Sequence, residues 1–368
     1  MNLDAFRNRD ADFLIQKVST RLRPVFTKNR YSDDEKRAIY RYLFSRRPKK
    51  LPPSLRAHII NLYDPLADRS GPFPDGLRWC LNVYVGCEHN CGYCYVNGYS
   101  QESVAHRPHA KDGFEKKLIE DLQTLRMLVL PPAPLHMSNS TDPLQENLEG
   151  QNHHTLFSLE KILAFRDRFT SVVMLTKNPG RLCTPPYLSI LSQPEMRQLT
   201  VQVTCSYWDD SVRLFYEPHA PSVQSRLEAI RFLTERGVTV ELRIDPLFPS
   251  SRIGDGIRLH KPLPNYSIPE AQPQDDIANL VRFARESRVA AIIAKPLKVP
   301  VSNRAHRCKV WFSDIYRDAT REKTRIVRGG SWRLPEPYQR ELVSTLSGLC
   351  DQEGIPFRHC MQDVLTRI

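Results

Sequence analysis

The sequence predicts an α/β protein: a partial, open (β/α)6 TIM-like barrel with a helical N-terminal extension and a C-terminal α-rich segment. Three observations predict it. From Trp79 onward short apolar runs alternate with amphipathic ones, the pattern of parallel strands joined by helices. The residues that follow the apolar runs are polar beyond what a turn requires, as expected where strand ends share one reactive rim. Before Trp79 the chain changes character and becomes strongly basic, which sets an extension apart from the barrel.

Residues 1–60 carry fifteen Lys and Arg against six acids, an excess of +9 out of a formal net charge of +12 for the whole chain. Such asymmetry suits a polyanionic partner, DNA or RNA, because Lys and Arg gain affinity by displacing counterions from phosphates; its plain alternative is a solvated basic surface. Ser32-Asp33-Asp34-Glu35 reads as a capped helix start ahead of Lys36 to Phe44. Tyr31, Tyr40, Tyr42 and Phe44 interleave with the charge and suit a core face better than base stacking. Arg46-Arg47-Pro48-Lys49-Lys50-Leu51-Pro52-Pro53 reads as a linker or extended arm. The expected organisation is 1–75 as basic helical extension, 76–300 as barrel and 301–368 as a segment packed on it.

Strands are expected near 79–85, 134–138, 171–176, 199–205, 239–244 and 291–297, with helices at 114–127, 155–168, 184–193, 223–236 and 274–287. Right-handed crossovers put every strand end on one rim. The stretch from Pro246 to Pro269, rich in proline, is expected to form a substrate lid or a surface excursion. No apolar stretch is long enough to span a bilayer and the N-terminus lacks an apolar signal region, so no membrane association is expected. Nine irregularly spaced cysteines do not suit a secreted disulfide scaffold, which points to reduced thiols and a cytoplasmic protein.

Directly after the first apolar run stands Cys87-Glu88-His89-Asn90-Cys91-Gly92-Tyr93-Cys94-Tyr95. Three thiolates from one short loop can hold three irons of a four-iron, four-sulfur (4Fe-4S) cluster and leave the fourth iron open to a non-protein ligand. The other reading is a Cys3His zinc site completed by His89, and with it a zinc-stabilised nucleic-acid-binding module without catalysis. Polar segments follow the later strands: Ser138-Asn139-Ser140-Thr141-Asp142-Pro143-Leu144-Gln145, Cys205-Ser206-Tyr207-Trp208, and Asp245-Pro246. Cys350 and Cys360, with Cys308, raise the question of an auxiliary cluster or zinc; ordinary core cysteines are the plainer account.

The cysteine loop, the Ser140–Gln145 segment, the Leu175-Thr176-Lys177 strand end and Glu217-Pro218-His219-Ala220-Pro221-Ser222 leading into Arg226-Leu227-Glu228-Ala229-Ile230 resemble the radical S-adenosylmethionine (radical SAM) superfamily. Within it they are similar to the spore photoproduct lyase-like, or DNA repair photolyase-like, branch over roughly residues 79–250. The resemblance implies an enzyme that reductively cleaves SAM at a 4Fe-4S cluster to a 5′-deoxyadenosyl radical for hydrogen abstraction, on nucleic acid or alternatively on a peptide or small molecule. It implies an electron donor such as flavodoxin or ferredoxin. By the same analogy Cys87, Cys91 and Cys94 ligate the cluster, Ser138, Asn139, Ser140, Thr141 and Asp142 face the methionine end of SAM, Ser206 the ribose and Tyr93 the adenine. Tyr95, Cys205 and Tyr207 are candidates for a hydrogen-atom relay. Relatives that repair the spore lesion use a donor cysteine beyond the cluster loop, whereas no cysteine lies between Cys94 and Cys183, so the sequence does not predict that repair.

Overall fold

The structure, a computed structural model, describes residues 10–16, 32–37, 59–63, 78–98, 105–127, 132–248, 252–253, 257–258, 269–300, 331–333 and 336–359. Its centre is an eight-stranded sheet whose strands follow chain order. They are β1 (Ile60–Tyr63), β2 (Arg78–Leu81), β3 (Ala133–Met137), β4 (Phe169–Thr176), β5 (Leu199–Thr204), β6 (Thr239–Leu247), β7 (Ile292–Pro296) and β8 (Phe357–His359). β1 pairs with β2 antiparallel, and every other neighbouring pair is parallel. β1 and β8 do not meet, so the sheet stays open. The expected fold class is what forms, widened by one strand at each edge.

Alternation along the strands divides the sheet into two unlike faces. Register aligns Trp79, Leu135, Val172 and Leu199 on one face, and further along it Met174, Val201 and Val240. Helices cover this apolar face. Leu118, Leu122 and Leu125 of Phe114–Met127, Leu227, Ile230 and Leu233 of Val223–Glu235, and Ile277, Leu280, Val281 and Ala284 of Gln274–Glu286 recur at helical spacing and are buried. The opposite, inner face is polar: Cys80 pairs with His136, Gln202 with Glu241, and Thr204 with Arg243.

Two expected elements change shape. The first apolar run is not one strand: the chain leaves the sheet after Leu81, and Tyr84–Val85 instead pairs antiparallel with His109–Ala110. Side-chain competition at Asn82 accounts for the break, since its Oδ1 accepts the Ser140 N–H at 3.1 Å. The helix expected at 184–193 shrinks to Tyr187–Leu191, because Pro185 and Pro186 withhold backbone donors at its start. Two helices were not expected, Glu146–Asn152 and Asp210–Tyr216, the second capped by Asp209, whose carboxylate accepts the Ser211 N–H at 2.7 Å.

The capping box at Ser32 is present: its N–H donates to Glu35 at 2.8 Å and its hydroxyl accepts the Glu35 N–H at 3.3 Å. Buried Lys36 then pairs with Asp12 at 3.2 Å and Asp33 at 3.4 Å. Asp121 on Phe114–Met127 fixes the sheet edge by accepting the N–H groups of Ile59 and Ile60 at 2.7 and 3.0 Å. Tyr31, Tyr40, Tyr42, Phe44, Cys308 and Cys360 lie outside the described residues, as does most of the stretch between Pro246 and Pro269. Cys350 is a buried core residue of the helix Glu336–Glu353, packed with Val343 and Leu346. Among the described residues no helix is long and apolar enough to cross a membrane.

Candidate functional site

The cysteine loop leaves the sheet on the side where β2–β7 end, and other strand ends hold it. Gly86 and Asn90 take positive φ, 75° and 51°, which turns the chain sharply within the short loop that carries the three cysteines. Buried Gln145 is its main anchor: its amide donates to the carbonyls of Gly86 (3.3 Å) and Asp142 (2.8 Å), and its oxygen accepts the Glu88 N–H at 2.7 Å. The Gly92 N–H donates to the Tyr216 carbonyl at 2.8 Å, tying the loop to the end of Asp210–Tyr216.

Beneath the loop lies a largely buried charged cluster. Glu217 and Arg226 are both 0% exposed and pair at 2.6 Å. The Tyr93 hydroxyl and the Lys177 ammonium, 3.7 Å away, meet the other oxygen of Glu217. Burial alone raises the Glu217 carboxyl, but Arg226 and Lys177 outweigh it and hold the group below the ordinary carboxylate range. Arg226 also donates to the carbonyls of Thr204 and Pro221, each at 3.0 Å, so one guanidinium joins the end of β5 to the helix it begins. Tyr93, expected beside the adenine, is itself buried, edge-on to Phe248 at 5.5 Å.

Asp142, expected to face the methionine end of SAM, has protein partners on both carboxylate oxygens. Its Oδ1 accepts Leu144 N–H and the Thr176 hydroxyl, each at 2.9 Å; its Oδ2 accepts the Lys177 N–H at 2.6 Å and lies 3.1 Å from His89 Nε2. Three hydrogen bonds and the His89 contact tie Asp142, and with it the cysteine loop, to the end of β4. Its segment continues that work. Thr141 accepts from Gln145 at 3.3 Å, the Ser140 N–H goes to Asn82, and the Asn139 amide meets Cys80 Sγ at 2.8 Å.

Ser138 and Ser206 are the exceptions. They are 2% and 0% exposed, and neither hydroxyl has a hydrogen-bond partner among the described residues. Buried polar atoms are rarely left so, and an orphaned pair at the ends of β3 and β5 is what a polar cofactor would satisfy. The remaining candidates divide. Tyr95 is 50% exposed, with its hydroxyl on the Asn139 carbonyl. Cys205 and Tyr207 pack inward, Cys205 Sγ against the Tyr207 carbonyl at 3.5 Å and Tyr207 stacked on Tyr216 at 5.5 Å.

The donor chemistry fits an iron–sulfur cluster. Burial raises all three thiols, Cys91 to about 12, so the apo loop is protonated at neutral pH and metal uptake must release protons. The zinc reading needs His89 as fourth ligand, yet Asp142 and the His219 carbonyl, 3.4 Å from Nδ1, already face its two nitrogens. Among the described residues no three or more His, Cys, Asp or Glu are placed to hold a single metal ion.

No family model matches the chain. An uncharacterized protein of Acidianus two-tailed virus is 26% identical over 191 residues, 49% of this chain and 59% of that protein. Another, from Methanocaldococcus jannaschii, is 23% identical over 177 residues, 47% of this chain and 62% of that one. Each match spans less than two thirds of the relative. Among solved structures, a mutant of spore photoproduct lyase superposes with a TM-score of 0.54 at 14% identity, covering 76% of this chain and 75% of that one. This chain has the fold of spore photoproduct lyase. A second mutant of spore photoproduct lyase, with bound AdoMet and dinucleoside spore photoproduct, gives the same score and coverage. The resemblance carried by the cysteine loop and the strand ends is thereby borne out at the level of the fold.

Sequence reasoning named Lys177 and Arg226 only as parts of a motif, and it missed Gln145 as an anchor and Cys80 altogether. Arg226 carried one usable signal, a charge at a position where helical spacing expects a buried residue.

Proposed function

We propose that the chain is a radical SAM enzyme whose cluster is held by Cys87, Cys91 and Cys94. The observation that carries the reading is the single loop of three cysteines at the strand ends, anchored by Gln145 and Asp142, with orphaned buried hydroxyls at Ser138 and Ser206 on neighbouring strand ends. Once bound, a 4Fe-4S cluster and SAM supply one-electron chemistry that creates a carbon radical able to remove a hydrogen atom. The chain's own residues do the rest. Ser138 and Ser206 offer hydroxyls to the cofactor, Asp142 and His89 hold the loop's orientation, and the Glu217–Arg226–Lys177 cluster keeps positive charge beside the thiolates. An iron–sulfur or flavin protein, a ferredoxin or flavodoxin, is the electron source.

Anaerobic reconstitution tests the reading. The protein should turn brown, bind about four irons per chain and form 5′-deoxyadenosine from SAM under a strong reductant. Colourless protein with one tight zinc and no reaction with SAM sinks the proposal in favour of the zinc module. Asp142→Ala separates positioning from ligand contact: iron content and SAM affinity should fall together, because the variant frees His89 and the Lys177 N–H from their common partner. Retention of full iron with weakened SAM binding would restore Asp142 as a direct cofactor contact.

The substrate we propose is nucleic acid, supported by the +9 excess in residues 1–60. A base or sugar buried in a duplex cannot reach a radical inside a barrel, so single-stranded or flipped-out substrate is required. Binding should weaken steeply with salt, and removal of residues 1–60 should flatten the slope. Electrophoretic shifts of duplex DNA, single-stranded DNA and structured RNA across a salt series measure this. Undetectable binding at low salt would favour a peptide or small-molecule substrate.

A further inference from the structure

The barrel itself carries a positive strip that the site above does not use. Residues 105–117 hold Arg107, Lys111, Lys116 and Lys117 with His106 and His109, against two acids, Asp112 and Glu115. The antiparallel pairing of Tyr84–Val85 with His109–Ala110 sets this strip beside the cysteine loop, since Val85 faces His109 in register and Gly86 and Cys87 come next in the chain. Arg107, His109 and Lys116 are exposed. Among the described residues none of the four Lys and Arg side chains has a carboxylate partner. Instead the Lys111 ammonium donates to the Asn82 carbonyl, and that of Lys117 to the Asp112 carbonyl at 2.7 Å. Burial, and after it the neighbouring Lys117, lowers the Lys111 ammonium to about 8. Two like charges thus stand close together with no counterion from the protein. Further round the rim the sign reverses. Asp209, after β5, and Asp275 and Asp276, in the first turn of Gln274–Glu286, lie near one another, and burial with the charges of Asp209 and Asp275 pushes the Asp276 carboxyl up. A polyanion is therefore repelled from the β5–β6 side of the mouth and drawn to the strip.

We propose that the strip from Arg107 to Lys117 binds the phosphates of a single nucleic-acid strand and leads that strand to the cysteine loop. The inference rests on the nucleic-acid reading of the substrate, and it gives the barrel a phosphate contact separate from residues 1–60. Lys111 and Lys117 form the inner seat, where a phosphodiester supplies the counterion that the protein withholds. Arg107 and Lys116 meet the neighbouring phosphates, the guanidinium with its fork of donors and the ammonium as a point charge. The strip runs into the N-terminal end of Phe114–Met127, the positive end of that helix's dipole, which favours the same charge. Phosphate contacts carry no sequence information, so the strip sets where the strand lies and leaves the choice of base to the barrel interior. A single strand is the form that fits, because its backbone can bend from the strip into the mouth and present an unpaired base there.

Two measurements on the full chain test this. The first is the salt dependence of oligothymidylate binding. The double variant Lys111→Gln with Lys117→Gln should bind more weakly at low salt, and its slope of log affinity against log salt should be shallower by about 0.7 for each charge removed. Arg231→Gln with Arg236→Gln removes the same charge from Val223–Glu235 and its C-cap, on the covered side of the sheet, and should leave the slope as in wild type. A wild-type slope in the lysine double variant overturns the proposal, and so do equal losses in the two doubles. The second measurement needs no variant, so it does not depend on the lysine changes being tolerated by the fold. Bound oligothymidylate should slow acetylation of Lys111, Lys116 and Lys117 severalfold, as peptide mass spectrometry reads it, and leave Lys161 on the helix His154–Ala164 unprotected. Strip lysines that stay unprotected while oligothymidylate is bound overturn the strip and leave the nucleic-acid reading standing. Wild type that binds no oligothymidylate at low salt sinks both.

Discussion

Replacing Cys87, Cys91 or Cys94 singly by alanine is expected to abolish SAM cleavage and to strip most of the iron and the brown absorbance from the protein. In the proposed cluster each substitution removes the one protein ligand of an iron, and among the described residues no neighbour is turned to replace it: His89 faces Asp142, Cys80 Sγ meets the Asn139 amide and Cys205 Sγ the Tyr207 carbonyl. The folded chain should survive, because the loop is held by Gln145, Asp142 and the Tyr216 carbonyl rather than by its thiols. Iron analysis, absorbance and circular dichroism on the same samples check it. A variant that keeps a full complement of iron and cleaves SAM would show that the cluster is held elsewhere.

Glu217→Ala is expected to be the most damaging single change to stability, at roughly 3–5 kcal/mol, the usual consequence of removing one partner from a buried ion pair. The loss leaves Arg226 charged and enclosed and takes away the partner of Lys177 and Tyr93. Urea unfolding should show a lower midpoint with little change in slope. Glu217→Gln should recover part of the loss through hydrogen bonds to Tyr93 and Arg226, though the charge remains uncompensated. Replacement of an exposed pair such as Arg126 with Asp167, 3.3 Å apart and both about half exposed, should cost about 1 kcal/mol or less. Equal losses at the two sites would mean that the cluster under the loop contributes no more than a surface pair.

The sequence alone determined the parallel core and the cysteine loop. Apolar runs at strand length alternating with helical stripes, as in Leu118-Leu122-Leu125, leave few other solutions, and three thiols within eight residues are local information. The capping box at Ser32 was legible for the same reason. Only the tertiary structure decided what depends on distant parts of the chain. β1 and β8 are too short to announce themselves and become strands because each finds an open sheet edge. Asp142 is named for the cofactor by the family resemblance alone, and only the fold shows that Thr176 and Lys177 at the end of β4 and His89 of the cysteine loop meet its carboxylate. Cys80 reads as one apolar residue in a strand until register shows which face it occupies and Asn139 arrives from the neighbouring strand end. A strand's pattern says that two faces differ; which face holds the chemistry is fixed only when helices cover the other.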